Sequence, residues 1–212
     1  MKILMLVYPD MTPLDLVGPL QAWSLWPGTE IQIVWKNTQA VPTDTGMAVV
    51  PTHSFDEAFA EPDILFAPGG AAGTFAVLED NDVLAFMADR GARASWVTSV
   101  CTGALVLGAA GLLDGYQATT HWLALDMLPK FGAQAVKRRW VIDRNRATGG
   151  GITAGIDFGL AIIAEIGGEQ LARNVQLTLE YSPHPPFQCG TPDEADPETI
   201  AQVKMAFEQA LS

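Results

Sequence analysis

The hydrophobic pattern of the chain consists of short, continuous apolar runs separated by longer segments of helical period. Residues 3–8, 31–35, 64–67 and 96–100 are apolar runs bounded by Pro, Gly or polar residues. Such runs predict strands covered on both faces, the usual condition of a parallel sheet. Between them, residues 14–26, 83–92 and 102–110 repeat apolar positions at helical spacing. The alternation predicts an α/β fold with a doubly wound, mostly parallel sheet. Ligands of such sheets bind beyond the carboxyl ends of the strands, which directs attention to residues 9–18, 68–73 and the turn at Cys101.

Further along, Gly111 and Gly115 mark a helix stop, and Thr120 is placed to cap a helix running to about Pro129. Residues 136–142 and 146–148 predict two short strands around the turn Asp143-Arg144-Asn145. The glycines 149–151 precede a long apolar helix through Ile166, followed by a helix over 170–181 and an irregular, proline-rich stretch over 183–192. An amphipathic helix over 197–211 ends the pattern. No repeat or linker interrupts it, so one domain is expected over residues 1–212.

Composition narrows the function classes. The 212 residues are 49% hydrophobic and 17% charged, which suits a compact domain with a substantial core. A formal net charge of -12 would repel phosphate backbones, so no nucleic-acid partner is expected. Two cysteines, Cys101 and Cys189, form neither a disulfide framework nor metal-ligand spacing, so no metal is expected and a reducing, cytoplasmic setting fits. The apolar N-terminal run is too short for a signal peptide. No segment reaches the ~20 apolar residues of a membrane span, so no membrane association is expected.

Cys101 is the most informative position. In Trp96-Val97-Thr98-Ser99-Val100-Cys101-Thr102-Gly103-Ala104-Leu105 the strand pattern breaks at one thiol and resumes as a helix. A strand–elbow–helix turn presents a nucleophile, and the helix N-terminus favours a thiolate. The alternative is a buried structural cysteine. Asp15, between apolar residues just after the first strand, either caps a helix or reaches the strand-end cleft toward Cys101. In an apolar pocket its proton affinity would rise enough for acid–base work near neutral pH. Thr102 is either an ordinary first helical residue or a hydroxyl donor beside the thiol. The amides around Gly70, Gly150 and Ile152 could line an oxyanion pocket, although both glycine-rich stretches also suit simple turns. His121 could orient the thiolate or a water, or be a half-buried histidine bonded to backbone. The apolar residues of Leu20-Gln21-Ala22-Trp23 and Leu25-Trp26 suit either a subunit contact or packing on the sheet.

Taken together, Val100-Cys101-Thr102-Gly103, Thr119-Thr120-His121-Trp122, Leu14-Asp15-Leu16-Val17-Gly18-Pro19, residues 148–157 beginning Thr148-Gly149-Gly150-Gly151 and the tail Leu179-Glu180-Tyr181-Ser182-Pro183 resemble the PfpI-like superfamily, and within it the isonitrile hydratases. The resemblance implies a flavodoxin-like fold with the cysteine on a nucleophile elbow, hydration of a small-molecule isocyanide substrate, no cofactor and a homodimer. Two departures from the wider superfamily matter. Peptidase-like members carry His directly after the cysteine, where this chain has Thr102, and many sensor and glyoxalase-like members carry Glu where this chain has Asp15. AraC-type regulators share CTG and TTHW but add a helix-turn-helix region that this sequence lacks. A ligand- or redox-sensing protein and a glyoxalase-like enzyme are the alternatives.

Overall fold

The computed structural model describes residues 1–210. In chain order the elements are β1 (Lys2–Leu6), α1 (Pro13–Ser24), β2 (Glu30–Trp35), β3 (Val41–Pro42), β4 (Ala48–Val49), β5 (His53–Ser54), β6 (Ile64–Ala67), α2 (Ala71–Leu78), α3 (Asn81–Arg93), β7 (Trp96–Ser99) and α4 (Gly103–Ala109). There follow β8 (Gln117–Ala118), a 3₁₀ segment (Trp122–Phe131), β9 (Gln134–Ala135), β10 (Trp140–Asp143), β11 (Arg146–Gly149), α5 (Ala154–Gly167), α6 (Glu169–Thr178) and α7 (Pro197–Ala210). The main sheet has seven strands in the order β10-β11-β7-β6-β1-β2-β5, all parallel except β10, which pairs antiparallel with β11. This is the expected α/β architecture, flavodoxin-like and mostly parallel.

The central strands are apolar because helices cover both of their faces. Ile3, Leu4, Met5 and Leu6 of β1 and Ile64, Leu65, Phe66 and Ala67 of β6 are fully buried. Each large side chain so buried contributes about 1.5–3 kcal/mol relative to exposure. From α1, Trp23 enters the same core. It meets Phe66 edge-on at 5.4 Å and donates its indole N–H to the Gly159 carbonyl of α5 at 3.1 Å. Trp23 and Ala22 are therefore core residues that pack this helix within the chain. The helix expected over 83–92 forms as α3, and Asp80 caps it, its carboxylate accepting the N–H groups of Asp82 and Val83.

Several expectations need correction. Residues 68–73 are not all loop: α2 starts at Ala71, because the small residues after Gly70 can enter a helix immediately. Val136 lies outside any strand, and the hairpin strand begins only at Trp140. Thr120 does not cap the following helical segment. His121 does, its Nδ1 accepting the Leu123 N–H at 3.3 Å, while the Thr120 hydroxyl donates to the Cys101 carbonyl at 2.7 Å. The last helix begins at Pro197 as expected, and Leu211, its expected end, lies outside the described residues.

The order β7-β6-β1 puts three consecutive carboxyl ends side by side. The loop after β6 thus sits between the exits of β1 and β7, and this is where the elbow helix starts. Gly103, the first residue of α4, lies so close beneath β6 that a Cβ there would stand 2.2 Å from the Ala67 carbonyl oxygen and 2.6 Å from that of Pro68. Both neighbours are backbone and have little freedom to yield. Gly103→Ala is therefore expected to lower unfolding stability by about 1–3 kcal/mol, measured by urea denaturation; unchanged stability would show that α4 can lift from the sheet.

Candidate active site

Cys101 occupies the elbow between β7 and α4 with a φ of +52°, in the left-handed region that a non-glycine residue enters at a cost of about 1–2 kcal/mol. The surrounding chain over-determines this conformation. The Cys101 N–H donates to the carbonyls of Gly149 and Gly150 at 3.2 and 2.7 Å, and its carbonyl accepts from Thr120. Both backbone groups are thus held by partners outside α4, and the side chain is directed toward the sheet end rather than into the helix packing.

Asp15 comes from the first turn of α1 and is completely buried. Its Oδ2 accepts the Gly69 N–H at 3.0 Å, while Oδ1 has no hydrogen-bond partner. The carboxyl lies close enough to the Cys101 thiol for the two side chains to interact, and the Asp15 charge acts on the thiol. Gly69 makes the approach possible. A Cβ on it would lie 2.6 Å from the Thr102 nitrogen and 2.7 Å from both Asp15 Oδ2 and the Cys101 Cβ. The sequence points to Gly70 of the pair Gly69-Gly70. The first glycine is the one that separates acid and thiol.

Electrostatics in this dry site differ from the expectation of a resting thiolate. Burial raises the Asp15 pKa to about 7, only partly offset by the neighbouring thiol and the Gly69 N–H. Burial, then the Asp15 charge, push the Cys101 thiol well above its ordinary value; the Thr102 N–H opposes them weakly. The helix N-terminus does not overcome desolvation plus a facing carboxylate. At neutral pH the pair therefore carries at most one negative charge, and it resides on Asp15.

The other expected residues divide into two groups. Thr102 adjoins the thiol, but its hydroxyl accepts the Gly70 N–H at 3.0 Å and pairs with Thr74 at 2.7 Å. The Gly70 amide is thus committed to Thr102 and does not face an open oxyanion site. Nor is the Gly150 N–H open, since it donates to the Arg139 carbonyl at 2.8 Å. Gly150, Ile152 and His121 instead line a cavity of about 680 Å³ together with Trp122 and Leu125; Thr120 and Gly150, which bond the Cys101 backbone, are in its wall, and Asp15 and Cys101 are not. His121 is held by the Leu123 N–H and by stacking on Phe207, and burial lowers its pKa, so it stands neutral in the cavity wall. Among the described residues, no three His, Cys, Asp or Glu side chains are grouped to hold a metal ion. Tyr8 and Thr74, buried behind Thr102, gave no motif in the sequence; their link to the site exists only through folding.

Several known proteins are similar to this chain. Isonitrile hydratase of Pseudomonas putida is 45% identical over 204 residues, spanning 96% of this chain and 89% of its own. A ThiJ/PfpI family protein from Pseudomonas syringae superposes with a TM-score of 0.96 at 48% identity, with 98% of this chain and 86% of the other covered. The HTH-type transcriptional regulator GbdR of Pseudomonas aeruginosa is 33% identical over 138 residues, 64% of this chain but only 37% of the regulator. The model of the DJ-1/PfpI family matches residues 1–165, the part that holds Asp15, Gly69, Cys101 and Thr102, and the chain belongs to that family.

Proposed function

We propose that this chain is an isonitrile hydratase, which adds water to an organic isocyanide, R–N≡C, to give the N-substituted formamide. The observation that carries the reading is the Asp15 carboxyl set against the Cys101 thiol without a histidine in the pair, in a chain 45% identical to an isonitrile hydratase over nearly its full length. A Cys–His dyad would suit peptide hydrolysis. A lone carboxyl with a pKa near 7 suits a reaction that needs one proton delivered and later one removed.

In the proposed mechanism, Asp15 takes the proton of the Cys101 thiol as the isocyanide arrives. The sulfur attacks the terminal carbon, and Asp15 returns the proton to that same carbon, giving a thioimidate, Cys101–S–CH=N–R. Water then gives a proton to Asp15 while its oxygen bonds to the thioimidate carbon, and Asp15 passes this proton to the nitrogen. The carbon–sulfur bond of the resulting adduct breaks to release R–NH–CHO. The hydroxyl proton of the adduct restores the thiol through Asp15. Atoms balance as one isocyanide plus one water, with no net oxidation, so the reaction itself calls for no cofactor. The cavity beside the elbow, with Trp122, Leu125 and Ile152 in its wall, suits an apolar R group. We place Thr102 beside the reacting sulfur, and Gly70, Gly150, Ile152 and His121 as the supporting frame. The proposal includes a cytoplasmic location and a homodimer, which light scattering on the purified protein measures.

Incubation with an alkyl isocyanide, in parallel with methylglyoxal, and mass spectrometry of the products tests the activity. Formamide is expected from the first and no lactate from the second; the reverse would assign a glyoxalase-like enzyme, and neither product would leave a sensor. Cys101→Ala is expected to abolish formamide formation with unchanged thermal unfolding, and normal turnover by it would remove the covalent mechanism. Asp15→Asn is expected to lower kcat by about 10²–10⁴-fold while the thiol still alkylates.

The pH dependence follows from the Asp15 value. Below about 7 its carboxyl is already protonated and cannot accept the thiol proton, whereas above 7 it can. The kcat/KM for isocyanide is thus expected to rise with pH through a midpoint near 7. A midpoint near the ordinary carboxyl value would show that Asp15 is not the proton acceptor.

A further inference from the structure

Behind Thr102 runs a line of buried hydroxyls whose hydrogen bonds have only one possible direction. The Tyr8 hydroxyl donates to the Pro68 carbonyl at 2.8 Å, and a carbonyl can only accept. Tyr8 has no other proton, so its 3.0 Å contact with Thr74 Oγ1 must be made by the Thr74 proton. That commits the single proton of Thr74, so the 2.7 Å contact between Thr74 and Thr102 must be made by the proton of Thr102. At the other end the Gly70 N–H, which can only donate, fills an acceptor site of the Thr102 oxygen. Tyr8, Thr74 and Thr102 are all buried, so no water competes for these positions.

The direction matters because the Thr102 hydroxyl lies within reach of the Cys101 sulfur, where a proton turned toward it would favour the thiolate. We propose that Tyr8 and Thr74 are positioning residues for the nucleophile: through this one-way chain they hold the Thr102 hydroxyl proton away from the Cys101 sulfur. The thiol then stays protonated until Asp15 takes its proton. The thiolate, when formed, is unshielded on that side and correspondingly more nucleophilic. Four other groups act on the site's charge. Asp15 faces the sulfur from α1, and Asp44, which accepts the Thr12 hydroxyl, raises both Asp15 and Tyr8. Buried Tyr8 is neutral, as is His121, whose ring lies beside Gly151. Of these four, Tyr8 bonds Thr74, and losing that bond leaves it neutral, because the bond lowers its pKa.

The test reads the Cys101 thiol by the pH dependence of iodoacetamide alkylation, in a Cys189→Ser background because Cys189 is an exposed free thiol, and needs no isocyanide. Its failure is therefore distinguishable from failure of the hydratase reading. In Thr74→Val the Thr102 proton loses its acceptor and turns to the sulfur. The alkylation midpoint is expected to fall by about one pH unit, which is about tenfold more thiolate at a given pH. Thr74→Ser keeps the oxygen and is expected to restore the original midpoint. In a Thr102→Val background, Thr74→Val is expected to move nothing, because the hydroxyl that transmits the effect is gone. An unchanged midpoint in Thr74→Val, or an equal shift in both backgrounds, would overturn the proposal. If Thr74→Val does not fold, Tyr8→Phe serves in its place. It frees the Thr74 rotor, so the midpoint is expected to fall, and a midpoint equal to that of the unsubstituted protein would overturn the proposal.

Discussion

The bare Cα of Gly69 is the constraint on which the site depends. Three neighbouring strand ends converge at β7-β6-β1, and the middle one must pass between an acid supplied from one side and a thiol supplied from the other. Any side chain there would fill the space in which Asp15 meets Cys101. With none, the loop backbone supplies two directed N–H groups in succession. That of Gly69 holds the carboxylate, and that of Gly70 fixes the Thr102 oxygen. The glycine pair is thus a positioning device as much as a turn.

From that convergence comes the charge economy of the site. Burial raises both Asp15 and Cys101, and the Asp15 charge raises Cys101 further, so a second negative charge is costly in a space with so few donors. The carboxyl ends near neutrality, where it can take and give a proton within one catalytic cycle. The strained elbow serves the same end. Its backbone is held from β11 and from Thr120, leaving the sulfur at the meeting point while α4 starts immediately behind it.

The parts of the fold legible in the sequence were those with a local physical cause. Continuous apolar runs marked the central strands because both faces are covered, and apolar positions at helical spacing marked α3 because one of its faces is buried. The elbow was legible because strand chemistry changes to helix chemistry within one residue at Cys101. What misled were residues whose side chains have a distant partner. Thr120 has the form of a helix cap, yet it bonds a carbonyl nineteen residues earlier in the chain, and His121 takes the cap instead. Gly70 and Gly150 look like open amide donors, yet Thr102 and Arg139 occupy them.

The sequence by itself determined that a parallel sheet would carry a thiol at a strand-to-helix turn, with an acid after the first strand and Thr102 in place of a histidine. Periodicity and turn chemistry are short-range properties, and they suffice for that. Only the tertiary structure decided that the acid stands against the thiol, that the thiol rests protonated, and that the Thr102 proton points to Thr74. Each depends on burial and on hydrogen-bond partners 28 to 66 positions apart in the chain. Desolvation and the direction of a hydrogen bond are properties of an enclosed space, and that space exists only once the strand ends have come together.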